Sequence, residues 1–321
     1  MDLDRLVADA REGVPRAVGR LISLVEDDGP QLRELAAALA PYTGHARVVG
    51  LTGSPGVGKS TTTSALVTAL RADGRRVGVL AVDPSSPFSG GALLGDRVRM
   101  GEHATDPGVF IRSMATRGHL GGLAAATPQA LRVLDAAGCD VVLVETVGVG
   151  QSEVEVVALA DTTVVLLAPG MGDGVQAAKA GILEVADVFV VNKADREGAD
   201  ATVRELQHMM SLNRREVAGP SWRPPVVRTV ASAGQGLDDL VAALDEHRAW
   251  MAEHDRLGDG PHRRARAEIE AIALADLRAR IRDLSGALGS GSALDELAGR
   301  VVAGELDPFA AADEVVTSVR D

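Results

Sequence analysis

The chain has 321 residues and a net charge of −12, and 46% of its residues are hydrophobic while only 2% are aromatic. The negative charge argues against nucleic acid or an anionic membrane surface as the main partner. The single cysteine excludes an internal disulfide and a cysteine-rich metal site. We expect a cytoplasmic protein that contacts no membrane, because the sequence has no signal-peptide pattern and its apolar runs are short.

The first 45 residues predict a helical N-terminal extension, because apolar residues recur there at helical spacing. Residues 46–250 alternate between short apolar strands and helical stretches. The predicted strands are 48–51, 77–82, 109–112, 141–145, 163–168, 188–192 and 226–230. Most are apolar throughout, which is typical of parallel strands buried on both faces. The pattern predicts an α/β fold with a doubly wound, mostly parallel sheet that binds ligands at the C-terminal ends of its strands.

The last part of the chain, residues 251–321, predicts a helical arm. Residues 258–261 are rich in glycine and proline and predict a break, after which a long helix opens at His262. Its apolar stripe includes Ile269, Ile272 and Leu277. A loop over residues 285–292 and two short helices complete the chain. The stripe must be buried against the preceding domain or against a second copy, and we favour a homodimer.

A phosphate-binding loop is the strongest motif, and it lies between a predicted strand and a predicted helix. The motif is Gly53-Ser54-Pro55-Gly56-Val57-Gly58-Lys59-Ser60, followed by Thr61. Its glycines let backbone N–H groups approach a phosphate, and the helix N-terminus attracts the same anion. Lys59 is predicted to bind the β- and γ-phosphates, and the Ser60 hydroxyl to bind Mg²⁺.

A second motif, Asn192-Lys193-Ala194-Asp195, follows a later strand and predicts guanine recognition. A carboxylate accepts hydrogen bonds from guanine N1–H and the exocyclic amine, which adenine does not offer in that arrangement. Ser232 and Ala233 follow the last predicted strand and suit a loop whose N–H groups contact guanine O6. The sequence therefore predicts a site for GTP and GDP.

Three acidic residues are candidates for Mg²⁺ binding or for ordering the attacking water. Glu145 ends the fourth predicted strand, Asp83 follows the second, and Asp96 lies in a Gly-Asp-Arg turn. Together with Lys59, we assign Asp83 and Glu145 to catalysis, and Gly148 is predicted to offer its N–H to the γ-phosphate. An arginine that stabilises the transition state is not obvious; the candidates are Arg97, Arg99, Arg112 and Arg117.

These segments together resemble the MeaB/ArgK family of GTPases, and the run from residue 145 to 153 is the most specific part. The resemblance covers residues 45–235 densely. It implies a SIMIBI-class P-loop domain, a homodimer formed by the C-terminal arm, and binding to an adenosylcobalamin-dependent acyl-CoA mutase of the methylmalonyl-CoA mutase type. It implies further that GTP hydrolysis gates cofactor loading and protects the client.

The resemblance also places Gln176 and Lys179 in an additional switch loop that couples nucleotide state to the partner. The glycine-rich segment before them departs from the family, because Gly174 stands where relatives often carry a glutamate. Three other interpretations stay open: an ATPase or kinase of basic amino-acid transport, a metallochaperone GTPase and a scaffold without catalysis. The guanine motif argues against the first, the lack of a Cys- or His-rich site against the second, and intact Lys59 and Ser60 against the third.

Overall fold

The computed structural model describes residues 2–27, 29, 31–83, 100–115, 126–146, 158–170, 185–212, 220–286 and 293–320. The chain forms two compact units, Met1–Arg264 and Ala265–Asp321. The domain limits drawn from the sequence, at residues 45 and 250, remain a prediction.

Seven described strands form one sheet, and every neighbouring pair is parallel. The strands are β1 Arg47–Thr52, β2 Val77–Asp83, β3 Val109–Ala115, β4 Val141–Thr146, β5 Thr162–Leu167, β6 Val188–Asn192 and β7 Val226–Thr229. Their order is β3-β2-β4-β1-β5-β6-β7, so the chain builds one half of the sheet and then crosses to the other side of β1. This confirms the predicted doubly wound α/β fold and puts a ligand site at the C-terminal end of β1.

Helices cover both faces of the sheet. One face packs against α4 (Lys59–Ala72) and, later in the chain, α7 (Leu237–Glu253). The other face packs against helices from three parts of the chain. They are α1 (Leu3–Arg11), α2 (Pro15–Glu26), α3 (Leu32–Leu39), α5 (Thr127–Ala136) and α6 (Ala199–Leu212). The predicted N-terminal helices are therefore a packed layer, in which Leu21, Leu35 and Leu39 are fully buried.

The first C-terminal helix differs from the prediction at both of its ends. Helix α8 runs over Asp259–Gly286, so the predicted break at residues 258–261 and the loop predicted to start at Ser285 were wrong at their edges. Pro261 lies in the first helical turn, where a missing N–H leaves no intrahelical bond unmade. Helices α9 (Ala293–Val302) and α10 (Pro308–Arg320) follow. Over the described ranges, no helix is both long and apolar enough to span a bilayer.

A buried polar network lies at the edge where the strands begin, opposite the ligand edge. Arg47 donates to Asp245 (3.2 Å) and to the Thr162 hydroxyl (3.1 Å). The Thr162 hydroxyl lies 3.0 Å from Nδ1 of His247, and His247 Nε2 lies 3.5 Å from Asp187. Burial lowers the pKa of His247 to about 4 and raises the pKa of Asp187 to about 6. The network joins β1, β5 and α7, and the His247 imidazole within it is neutral at pH 7.

Replacing Asp187 by Asn is expected to stabilise the protein above pH 6. The folded-state pKa of about 6 lies above the ordinary 3.8, so the native carboxyl favours the protonated form, and stability is lost as pH rises from about 4 to 6. An amide oxygen can still accept the Thr163 N–H, which now lies 2.8 Å from Oδ2. Urea unfolding should show a gain of about 1 kcal/mol at pH 8 that fades towards pH 4. The exposed Asp200→Asn variant is the control, and an equal gain at both pH values would contradict the prediction.

Candidate nucleotide site

The phosphate-binding loop connects β1 to α4, and its shape depends on glycine. Gly53, Gly56 and Gly58 have φ values of 141°, 80° and 97°, which side chains rarely adopt. A Cβ on Gly53 would clash with the Leu166 carbonyl, and one on Gly58 would lie 2.5 Å from the amide nitrogen of Asn192. The loop is therefore packed tightly against β5 and β6 on its inner side.

Lys59 and Ser60 are the first residues of α4 and are both buried. The ammonium group of Lys59 donates to the carbonyls of Gly53 (2.5 Å) and Ser54 (3.2 Å), at the start of the same loop. The positive helix terminus, the loop N–H groups and this ammonium group converge on one edge of the sheet. Such an arrangement binds a polyphosphate.

Glu145 lies at the end of β4, next to β1, and is only 1% exposed. Its Oε1 accepts a hydrogen bond of 2.6 Å from the Ser60 hydroxyl. A hydroxyl and a carboxylate are oxygen ligands of the kind Mg²⁺ prefers, so this pair fits the ion. Among the described residues no cluster of three His, Cys, Asp or Glu side chains is suited to hold a metal. Mg²⁺ sites often have few protein ligands, because phosphates and water complete them.

For the other residues predicted to lie near the phosphates, the structure gives either a backbone position alone or no description. Asp83 is the last residue of β2, and the preceding Val82 pairs with Thr146 of β4, so the Asp83 backbone lies at the same edge as Glu145. Asp96, Gly148, Gln176 and Lys179 lie outside the described residues. The roles assigned to these five residues remain predictions.

Asn192 joins three parts of the site through its side-chain amide. Its Nδ2 donates to the Val57 carbonyl in the phosphate loop (2.9 Å). Its Oδ1 accepts from the Thr229 hydroxyl of β7 (3.1 Å) and from the Ala231 N–H (3.1 Å). The residue is 3% exposed, so all of these hydrogen bonds are shielded from water. The amide fixes the guanine motif relative to the phosphate loop.

The rest of the guanine motif turns back over the loop. Lys193 has a positive φ of 58°, which is uncommon for a side chain of this size, and its ammonium donates to the Gly56 carbonyl (2.6 Å). Asp195 is exposed, as are Ser232 and Ala233 in the short 3-10 turn Ala231–Ala233. The Ala233 N–H donates to Val230 (2.9 Å) within that turn. Contacts of Asp195, Ser232 and Ala233 with guanine remain predictions.

Arg112 is removed from the candidates for a catalytic arginine. Its guanidinium forms an ion pair with Glu26 of α2 and donates to the Ser23 hydroxyl (3.1 Å). Helix α2 packs in the core that lies on the face of the sheet opposite α4. Arg112 therefore ties the N-terminal layer to β3. Arg97, Arg99 and Arg117 lie outside the described residues.

Residues 18–285 match the profile of the family described as methylmalonyl Co-A mutase-associated GTPase MeaB. The chain belongs to the MeaB family. It therefore binds guanine nucleotide and hydrolyses GTP. That the phosphate loop and the guanine motif bind this nucleotide remains a prediction.

Relatives extend the match over nearly the whole chain. A Pyrococcus abyssi protein is 48% identical over 317 residues, covering 99% of this chain and 97% of its own length. The mouse protein named methylmalonic aciduria type A homolog, mitochondrial, is 34% identical over 332 residues, covering 92% of this chain and 78% of its own. The crystal structure of an LAO/AO transport system kinase has a TM-score of 0.68 and 26% identity, and covers 99% of this chain and 98% of its own.

Sequence reasoning missed two groups of this MeaB-family site. One is Thr229, whose hydroxyl holds Asn192; a polar residue ending a mostly apolar strand was the available signal. The other is a cluster on α4, where the Ser64 hydroxyl donates to Glu102 (2.5 Å) and lies 3.0 Å from Nε2 of His103. This cluster fixes the 3-10 turn Gly101–His103 to the helix that begins at Lys59. No spacing in the sequence signals a contact between residues 38 positions apart.

Gly58→Ala is expected to weaken GDP binding at least tenfold more than Gly56→Ala does. Both glycines have positive φ, so both variants carry the same kind of backbone strain, about 1–2 kcal/mol. Only the Gly58 variant adds a Cβ that meets Asn192, since a Cβ on Gly56 has no neighbour within 4 Å. Calorimetric titration with GDP measures both affinities. Equal losses would show that the Asn192 contact does not constrain the loop.

Proposed function

We propose that this MeaB-family GTPase acts as a chaperone of an adenosylcobalamin-dependent acyl-CoA mutase of the methylmalonyl-CoA mutase type. Its cycle of GTP binding and hydrolysis would gate the loading and protection of the mutase cofactor. The observation that carries the proposal is the family match over residues 18–285, whose description names association with this mutase. The mouse relative named after methylmalonic aciduria supports the same assignment.

The described site supports hydrolysis by positioning and charge stabilisation. Lys59 would bind the β- and γ-phosphates, and Ser60 and Glu145, which are hydrogen-bonded to each other, would hold Mg²⁺. When bound, the ion neutralises charge on those phosphates. Asp83 and Asp96 are the further acids that we propose for the metal and the attacking water. Gln176 and Lys179 would couple the nucleotide state to the client.

A second candidate, an ATPase or kinase linked to transport, comes from the structure named LAO/AO transport system kinase. The guanine motif argues for the GTPase, because the Asp195 carboxylate would accept from guanine N1–H and the exocyclic amine, and Asn192 and Lys193 of the same motif lie beside the phosphate loop. A metallochaperone gains no support, because the described part of the chain contains no cluster suited to a metal cargo.

We also propose that residues 251–321 form a dimerisation arm. Within the unit Ala265–Asp321, large apolar side chains are exposed on all three helices. They include Ile269 at 67%, Ile272 at 53% and Phe309 at 83% exposure. Burying each such side chain contributes about 1.5–3 kcal/mol to the free energy of association. A second copy of the arm offers the apolar surface that would bury it.

Ile272→Asp is expected to convert a dimer of the purified protein to a monomer. The introduced carboxylate would have to be buried without a partner in an apolar interface, which costs several kcal/mol. Analytical ultracentrifugation measures the mass, and Glu270→Gln on the same helix is the control. A wild-type monomer at micromolar concentration, or a variant that remains dimeric, would count against the arm as a dimer interface.

The client is tested by GTP turnover with and without the methylmalonyl-CoA mutase of the same host. We expect at least tenfold stimulation by the mutase, because the partner would order groups around the γ-phosphate. Lys59→Ala should abolish turnover in both conditions, since the variant lacks the ammonium group proposed to bind the β- and γ-phosphates. If the mutase neither stimulates turnover nor forms a complex on gel filtration, the client assignment is wrong. Basal turnover would then still support the GTPase.

A further inference from the structure

The hydroxyl of Ser113 on β3 faces the nucleotide side of the sheet. Ser113 pairs with Ala81 of β2, and Ala81 pairs on its other side with Glu145 of β4. Residues that pair across parallel strands point to the same face. Glu145 contacts Ser60 of α4, so this face is the one that α4 covers. Two residues earlier on β3, Ile111 packs into the α4-side core, which confirms the orientation.

The Ser113 hydroxyl is buried, and within the described ranges its Oγ has no hydrogen-bond partner. A buried hydroxyl is normally paired with a protein group, an ordered water or a ligand. The neighbours of Ser113 on this face of the sheet are Ile111 on its own strand, Ala81 beside it and, two residues further along β2, Asp83. Ile111 and Ala81 are apolar and offer the hydroxyl no partner, so packing against them does not explain a serine at this position.

The side chain between Ser113 and Glu145 is small. Ala81 stands between them in the same row, and two strand spacings separate the outer residues by about 10 Å at the backbone. The Glu145 side chain reaches towards Ser60, and Ser113 contributes a short hydroxyl from the other side of Ala81. The row thus places only the methyl group of Ala81 between a hydroxyl and a buried carboxylate.

We infer that Ser113 is a positioning residue of the GTPase site, whose hydroxyl holds an ordered water of the magnesium shell beside Glu145. The inference deepens the proposed magnesium site and rests on it, but it does not depend on the mutase. A water fixed from two sides keeps the Glu145 carboxylate and the metal in one arrangement. Ser113 would thereby raise the affinity for magnesium with bound nucleotide and contribute to the rate of hydrolysis.

The test compares Ser113→Ala, Ser113→Thr and the exposed Ser211→Ala as a matched control. Binding of a fluorescent GDP analogue is measured across a magnesium titration, with GTP turnover and thermal unfolding in parallel. For Ser113→Ala we expect the half-saturating magnesium concentration to rise and kcat to fall, each about tenfold, the size of one hydrogen bond. Unfolding without nucleotide should occur at the wild-type temperature or above it, because the hydroxyl has no described partner to lose. Ser113→Thr keeps the hydroxyl and should restore the magnesium response.

A wild-type magnesium response in Ser113→Ala would overturn the inference while leaving the magnesium site intact. A lower unfolding temperature in Ser113→Ala without a change in magnesium response would overturn it as well, because it would show a structural role. If the wild-type protein binds the GDP analogue equally well with and without magnesium, the proposed metal site fails and the role of Ser113 fails with it.

Discussion

The side-chain amide of Asn192 is the interaction on which the nucleotide edge depends. Three hydrogen bonds connect it to the phosphate loop, to β7 and to the turn that follows β7. Because the amide is buried, each lost bond would leave an unsatisfied polar group, which costs about 1–3 kcal/mol. The same amide explains why residue 58 is glycine, since a Cβ there would occupy its place. One side chain therefore couples the predicted guanine motif to the shape of the phosphate loop.

The two edges of the sheet handle buried polar groups in opposite ways. At the edge where strands begin, the Thr162 hydroxyl accepts from Arg47 and lies 3.0 Å from Nδ1 of His247, so these groups are held by protein contacts. Burial there lowers the pKa of His247, so the imidazole of this residue is neutral near pH 7. At the edge where strands end, Lys59 and Glu145 are held by short local bonds that a bound nucleotide and cation can replace. The first edge stabilises the fold, and the second keeps its polar groups available for a ligand.

Much of this architecture could be predicted from the sequence, because buried parallel strands are apolar throughout and each ends at a turn. The strand 188–192 was predicted at its observed limits, Val188–Asn192, and the phosphate loop was predicted between a strand and a helix, as β1 and α4 have it. Strand β3 was predicted to end at residue 112, but it runs to Ala115, since the polar Arg112 and Ser113 interrupt the apolar pattern. The contacts of Ser64 with Glu102 and His103 could not be predicted, because they join segments distant in the sequence.

The part of β3 that the apolar pattern missed connects two layers of the protein. Arg112 points to one face and binds Glu26 of the N-terminal helices, and Ser113 points to the other face, towards the nucleotide side. Alternation along a strand makes such a pair the shortest link between opposite faces of a sheet. A shift of β3 that adjusts Ser113 must also move Arg112 and its ion pair. The role inferred for Ser113 would therefore join the N-terminal layer to the GTPase site through two adjacent polar residues.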